Sequence, residues 1–220
     1  MNRVALIMGA GPGLGAAVAR ALGRKGLDIA LIARDEQRLR QLGETLQAEG
    51  ITAGWIPVDV ADPDSLAAAV DRFGTHTGRL DVLHYNAVAP RAEPASSLAA
   101  RDLIDDLMVG TASLLSATQA ALPHMRDGGL ILATGGGSAN RPMRGMASLG
   151  VQKAALRNLV RAIDLDLRER GVRAVSLTVK GTIEPGTAFD PDAIAASFAG
   201  LVDAFDAGAQ EWRTEVSFDG

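Results

Sequence analysis

The chain has 220 residues, 47% of them apolar and 22% charged, with 25 glycines and no cysteine. This length suits one well-buried α/β domain spanning residues 1–220 and crowds two, and the composition excludes a disordered or fibrous chain. A net charge of −4 supplies no basic footprint for nucleic acid or an anionic membrane, and without cysteine there are no disulfides, thiolate nucleophiles or cysteine metal sites; a small-molecule partner and a cytoplasmic setting are expected.

The N-terminal run MNRVALIMGAG leads into glycines, too short for a signal or membrane segment, and predicts a first strand over 3–8. Further strands are predicted at 28–33, 52–58, 80–85, 130–134, 172–179 and 214–218. Amphipathic stretches such as LGAAVARALGRKG and DEQRLRQLGETLQAEG lie between them, with Ala and Leu at helical spacing. Asp62-Pro63-Asp64 and Asp190-Pro191-Asp192 each mark a helix start, an acceptor side chain followed by proline at the first helical position. Strand and helix alternating in this way predict an α/β fold, a doubly wound Rossmann-type domain with a seven-stranded parallel sheet flanked by helices.

In such a sheet, ligands bind at the carboxyl ends of the strands. The first strand runs into MGAGPGLG (8–15), where Gly9, Gly13 and Gly15 allow a tight turn, close packing of the next helix and a helix N-terminus facing a phosphate. A purely structural turn has the same composition, but the position between strand and helix favours a dinucleotide. Ala33 and Arg34 follow the second strand, where an NAD-selective site offers a carboxylate; a guanidinium there suits the 2′-phosphate of NADP, the alternative being a plain surface charge. Asp35 is read as a cap for the next helix. Asp59 ends the third strand and Asn86 the fourth, and for both an ordinary turn or cap role is the alternative.

LGVQKAAL (149–156) sets one lysine in an apolar stretch, on a helical stripe of Leu149, Lys153, Leu156, Val160, Ile163 and Leu167. An unpaired ammonium on an inward face is costly, so Lys153 implies a polar partner or a wet cavity; snorkelling near the helix start is the alternative.

Together these residues resemble the short-chain dehydrogenase/reductase family, whose members carry TGxxxGxG after strand one, DV after strand three, NAG after strand four and YxxxK on a long helix. The matches are MGAGPGLG, Asp59-Val60, Asn86-Ala87 with Val88 in place of the last glycine, and Lys153. The resemblance implies that Gly9, Gly13, Leu14 and Gly15 line the pyrophosphate, that Asp59 and Val60 lie near the adenine, and that Asn86 and Ala87 border the adenosine side. It implies that Lys153 holds the nicotinamide ribose, with Gly181 and Ile183 at the nicotinamide edge. NADP is the expected cofactor, with NAD less suited because of Arg34. A homodimer or homotetramer through the long helices around 99–126 and 146–170 is also implied.

The chain departs from the family pattern at the reacting centre. The position four residues before Lys153 is Leu149, the only tyrosine is Tyr85, the family serine position is Gly136, the helix asparagine position is Leu107, and Lys180 precedes Gly181 where proline is usual. Ser138 and Ser148 lie close to the vacated positions and join Lys153 as candidate catalytic residues, the alternative being that they satisfy loop backbone. His76, His84 and His124 show no metal-ligand spacing and are read as structural, so no metal is expected. Two functions fit. One is an NADP(H)-binding oxidoreductase with an atypical active site, acting on a small electrophilic substrate. The other is a non-redox protein of the same lineage, a cofactor-binding sensor or scaffold, or an enzyme of cyclase or isomerase type.

Overall fold

The computed structural model describes residues 2–209 and 211–220. Seven strands, β1 (Val4–Met8), β2 (Asp28–Ala33), β3 (Ala53–Pro57), β4 (Val82–Tyr85), β5 (Gly129–Gly136), β6 (Val172–Val179) and β7 (Glu215–Phe218), form one sheet in the order β3-β2-β1-β4-β5-β6-β7. All six pairings are parallel, as the strand–helix alternation requires. The order reverses between β1 and β4, which opens a crevice at their carboxyl ends.

The helices are α1 (Leu14–Arg24), α2 (Glu36–Ala48), α3 (Pro63–Thr77), α4 (Ala100–Leu107), α5 (Ser113–Ala121), α6 (Ala147–Leu167) and α7 (Pro191–Asp206). Alternation along β1 shows how both faces are covered. Val4, Leu6 and Met8 join a core closed by Leu66, Phe73, Leu114, Leu156 and Val160 of α3, α5 and α6. Ala5 and Ile7 join the opposite core, closed by Val18, Leu22, Leu39, Leu46, Ile194 and Phe198 of α1, α2 and α7. The two Asp-Pro-Asp starts behave as the sequence predicts: Asp62 accepts from the backbone N–H of Asp64 and Ser65, and Asp190 from that of Asp192.

Two details depart from simple expectation. The fifth strand runs past 134 through Gly135 and Gly136, which continue the pairing with Thr178 and Val179 of β6, and at Gly135 β6 leaves no room for a side chain: a Cβ there would sit 2.5 Å from Ser176 Oγ. The long helix expected after residue 99 is interrupted at Met108–Ala112 by a π-helical turn. The carbonyls that turn displaces find side-chain donors, Tyr85 Oη bonding Val109 O and Ser113 Oγ bonding Met108 O.

Candidate active site

A cleft of about 1010 Å³ lies at the carboxyl ends of β1, β4, β5 and β6. On one side is the turn before α1. Gly9 has φ +79°, and a Cβ there would meet Ala87 N at 2.8 Å, so only glycine lets the turn press on the end of β4. A Cβ on Gly15 would strike Gly9 O at 2.5 Å, whereas one on Gly13 would meet nothing within 4 Å. Thus Gly9 and Gly15 close the backbone while Gly11, Gly13, Leu14 and Gly15 border the cleft. No side chain caps α1, and its first turn carries no acid. An uncapped helix start facing a cavity through bare glycine backbone fits a pyrophosphate.

Lys153 occupies the floor. It is buried, and its Nζ donates to the Thr134 carbonyl at 2.7 Å. Burial holds its pKa down at about 8. His84 lies behind Thr134, with Nε2 3.1 Å from Thr134 Oγ1 and Nδ1 buried without a partner. Burial, and secondarily the nearby Lys153 cation, push His84 down to about 3, so the ring is neutral. The cleft also exposes Gly136 and Leu149, and a Cβ on Gly136 would lie 3.3 Å from Lys153 Cγ. Gly136 and Leu149 therefore flank the lysine with no acid or hydroxyl of their own. Tyr85 lies wholly in the core between β4 and the π turn, and burial raises its phenol above the usual range.

The two candidate serines separate. Ser138 borders the cleft in a short 3₁₀ turn after β5. Ser148 is buried outside its lining, accepts from Gln152 Nε2 at 2.9 Å and bonds Asp106. Asp106 receives a two-pronged contact from Arg91 at 2.8 and 3.1 Å; that hydrogen bond, with Ser148 contributing less, holds its carboxyl below the ordinary range. Gln152 is the residue that pattern reading missed. Fully buried, it bonds both backbone groups of Ala89, at 3.1 Å through Oε1 and 2.9 Å through Nε2, and its own carbonyl accepts from Thr111. This clamp ties the segment after β4 to α6 beside Val88, which borders the cleft. The available signal was the amide that stands beside Lys153 in LGVQKAAL, where every other residue is apolar.

Asn86 lines the cleft and donates to Gly9 O at 3.2 Å, while Ala87 is buried behind it. Gly181 and Ile183 line the far end, with Gly181 pressed against Phe189 so that a Cβ would come within 2.3 Å of the ring. Arg34, Asp59 and Val60 lie outside the lining, along the edge formed by β2 and β3. Arg34 is exposed and makes no ion pair among the described residues. Asp35 caps α2 by accepting from Arg38 N at 3.0 Å and so is occupied locally. Asp59 accepts from Ala61 N at 3.0 Å, while Val60 is buried in the core. Among the described residues, no group of three His, Asp or Glu side chains is placed to hold a metal, and no helix is long and apolar enough to cross a membrane.

Comparison with known proteins agrees with the fold. An uncharacterized oxidoreductase of Mycobacterium tuberculosis is 33% identical over 174 residues, covering 77% of this chain and 65% of its own length. The 2,3-dihydro-2,3-dihydroxybenzoate dehydrogenase of Bacillus subtilis is 29% identical over 174 residues, covering 78% and 67%. The chain thus spans about two thirds of the length of these curated relatives. Among solved structures, a short chain dehydrogenase from Mycobacterium smegmatis superposes with a TM-score of 0.90 at 26% identity, covering 100% of this chain and 92% of the other. A metagenomic short-chain oxidoreductase in complex with NADP gives 0.87 at 28% identity, covering 98% and 96%. The short chain dehydrogenase profile matches residues 3–189, and the chain belongs to that family.

Proposed function

We propose that the protein is an NADP(H)-dependent oxidoreductase with an atypical active site, acting on a small and already electrophilic substrate. The observation that carries this reading is the pairing, in one cleft, of the uncapped α1 start with a buried lysine whose neighbours one turn away and on β5 are Leu149 and Gly136. The NADP complex of the metagenomic relative supports the choice of nucleotide, as does Arg34 where a ribose-binding carboxylate would otherwise stand. A nicotinamide cofactor, when bound, supplies a hydride. The chain's own part is to hold the phosphates at Gly11–Gly15, present the Lys153 ammonium to a ribose hydroxyl, and orient the substrate against Leu149 and Ser138.

Carbonyl reduction also needs a proton for the developing alkoxide, and a positioned acid contributes roughly 10² to 10⁴ in rate. Leu149 and Gly136 cannot supply one. An activated acceptor relies far less on that donor: hydride turns an iminium into a neutral amine, and in an enone the developing charge is delocalised over an enolate. Single-turnover oxidation of bound NADPH across ketone, enone and imine panels tests the reading: consumption with the activated acceptors and little with plain ketones is expected. NADPH binding without consumption by any of them would favour the non-redox alternative, whose own support is the same pair of residues, Gly136 and Leu149.

The proposal includes self-association. Val151, Ala155, Asn158, Ala162 and Leu165 follow one another at spacings of four and three along α6; Val151 is 43% and Leu165 61% exposed. A two-fold pairing through this face is expected, read as a dimeric or tetrameric mass by light scattering.

A further inference from the structure

We propose that the substrate carries a carboxylate, or an equivalent small anionic group, and that Arg141 at the mouth of the cleft reads it. The proposal rests on the oxidoreductase reading of the same cleft and adds the chemical class of what enters it.

Charge is distributed one-sidedly there. The ionisable side chains bordering the cleft are Arg141, Lys153 and Lys180, with no aspartate or glutamate among the described residues that line it. This occurs on a chain whose net charge is −4, so the positive lining is local and opposes the overall sign. Low-dielectric walls bearing one sign of charge concentrate ligands of the other. The three cations are not equivalent. Lys153 is buried on the floor and bonded to Thr134 O. Lys180 pairs with Asp219 at 2.7 Å. Arg141 is exposed, and no acid pairs with it among the described residues.

The backbone that carries Arg141 is held in place. Its N–H donates to Gly137 O at 3.0 Å, closing a turn directly after β5. Pro142 follows and restricts the chain further. A Cβ on Gly150 would lie 3.1 Å from Ser138 O and 3.9 Å from Pro142 Cα, so the 138–142 turn rests on the first turns of α6. Arg141 thereby borders the cleft between the carboxyl end of β5 and the start of α6, two strands along the sheet from β1 and the turn that suits the phosphates. Met143, Leu149 and Ile183 provide apolar surface beside it. An apolar body with one acidic group matches that combination, and a planar guanidinium engages a carboxylate through two parallel hydrogen bonds.

The same charges narrow the electrophile. A free iminium cation would be repelled by Arg141 and Lys153, the two lining cations that no acid neutralises, whereas an electrophile that carries its own carboxylate enters as a neutral or anionic species.

The test measures dissociation constants by ligand-observed NMR for matched probes, benzoate against benzamide and cyclohexanecarboxylate against its amide, on the full chain with and without saturating NADPH. Hydrogen bonds between charged partners, discounted for an exposed site, predict that each acid binds roughly tenfold more tightly than its amide. Arg141→Ala should remove that preference, Arg141→Lys should keep part of it, and Lys180→Ala should keep most of it. Arg141 is exposed, so its replacement leaves the core intact, which circular dichroism verifies. Acid and amide agreeing within about twofold, undetectable binding of both acids, or a preference surviving in Arg141→Ala overturns the proposal. NADPH titration in the same samples reports separately on the underlying reading. Absent NADPH binding overturns the oxidoreductase, while the acid preference of the unloaded protein still decides the role of Arg141.

Discussion

The ammonium of Lys153 lies 2.7 Å from the carbonyl oxygen of Thr134, and Leu149, one helical turn earlier, adds only hydrocarbon to the same cleft. One bond leaves two of the lysine's three donors free for a ligand. Lys153→Ala should therefore weaken NADPH binding by about ten- to a hundred-fold in a fluorescence titration, as expected for loss of a charge-assisted hydrogen bond. Leu149→Ala should leave cofactor affinity within about threefold, since it removes only apolar contact beside the site. Unchanged affinity in the Lys153 variant would reduce that residue to a structural one.

The buried ammonium also leaves a signature in stability. Burial lowers Lys153 from 10.5 to about 8. Between these values the unfolded chain holds a proton that the folded chain has released, so this group makes stability rise with pH across the window. Below it, both states are protonated and the folded state bears the full cost of the buried charge, on the order of 3 kcal/mol. Lys153→Met removes that cost and the bond to Thr134 together. It should be more stable than the parent by about 1–2 kcal/mol near neutral pH, with the advantage vanishing as pH approaches the unfolded value. Urea unfolding at several pH values measures the difference; a gap independent of pH would show that the charge is not buried in solution.

Arg34 stands alone at the end of β2 while Asp35 is occupied as the cap of α2. If the guanidinium meets a 2′-phosphate, Arg34→Ala should cost NADPH about tenfold or more in affinity, some 1.4 kcal/mol, and leave NADH nearly unchanged. Parallel titration of both nucleotides decides it, and equal losses would remove Arg34 from nucleotide selection.

Gly136→Ser with Leu149→Tyr places a hydroxyl and a phenol on either side of Lys153. A Cβ on Gly136 meets Lys153 Cγ at 3.3 Å, a contact that a small shift of a flexible side chain relieves. The phenol starts near a pKa of about 10, and the adjacent ammonium should lower it. The double variant is expected to gain NADPH-dependent ketone reduction by roughly 10²-fold over the parent. A folded, NADPH-binding double variant that still reduces no ketone would contradict the placement of residues 136 and 149 at the reacting centre.

Gln152→Ala deprives both backbone groups of Ala89 of their side-chain partners and opens a gap beside Gly110, where Gln152 now fills the space a Cβ would need. A destabilisation of about 2–4 kcal/mol is expected from the unpaired polar groups and the cavity together, read from the urea midpoint. A cost under about 0.5 kcal/mol would mean that water replaces the clamp without penalty.

Strand and helix order, the parallel seven-stranded sheet, the helix starts at Asp62 and Asp190 and the glycine turn before α1 were all legible in the chain, because each depends on a local rule. Side-chain period separates strand from helix, an Asp-Pro pair satisfies orphan N–H groups within four residues, and glycine spacing sets how closely one turn can approach the next. Lys153 was visible too, as a cation on an apolar stripe, but its partner was not. Thr134 O lies 19 residues away in sequence, and only the packing of α6 over the end of β5 makes it the acceptor. The same packing separates two serines that look alike in sequence, leaving Ser138 at the cleft and drawing Ser148 into the bonds of Asp106 and Gln152. Gln152 and Arg141 acquire their significance wholly from tertiary contacts. One amide reaches Ala89 across 63 residues, and one guanidinium stands where three cations and no carboxylate border a single cleft. A linear pattern records which groups a chain carries; which of them share a low-dielectric space is decided by the sheet that brings the ends of β1, β4, β5 and β6 together.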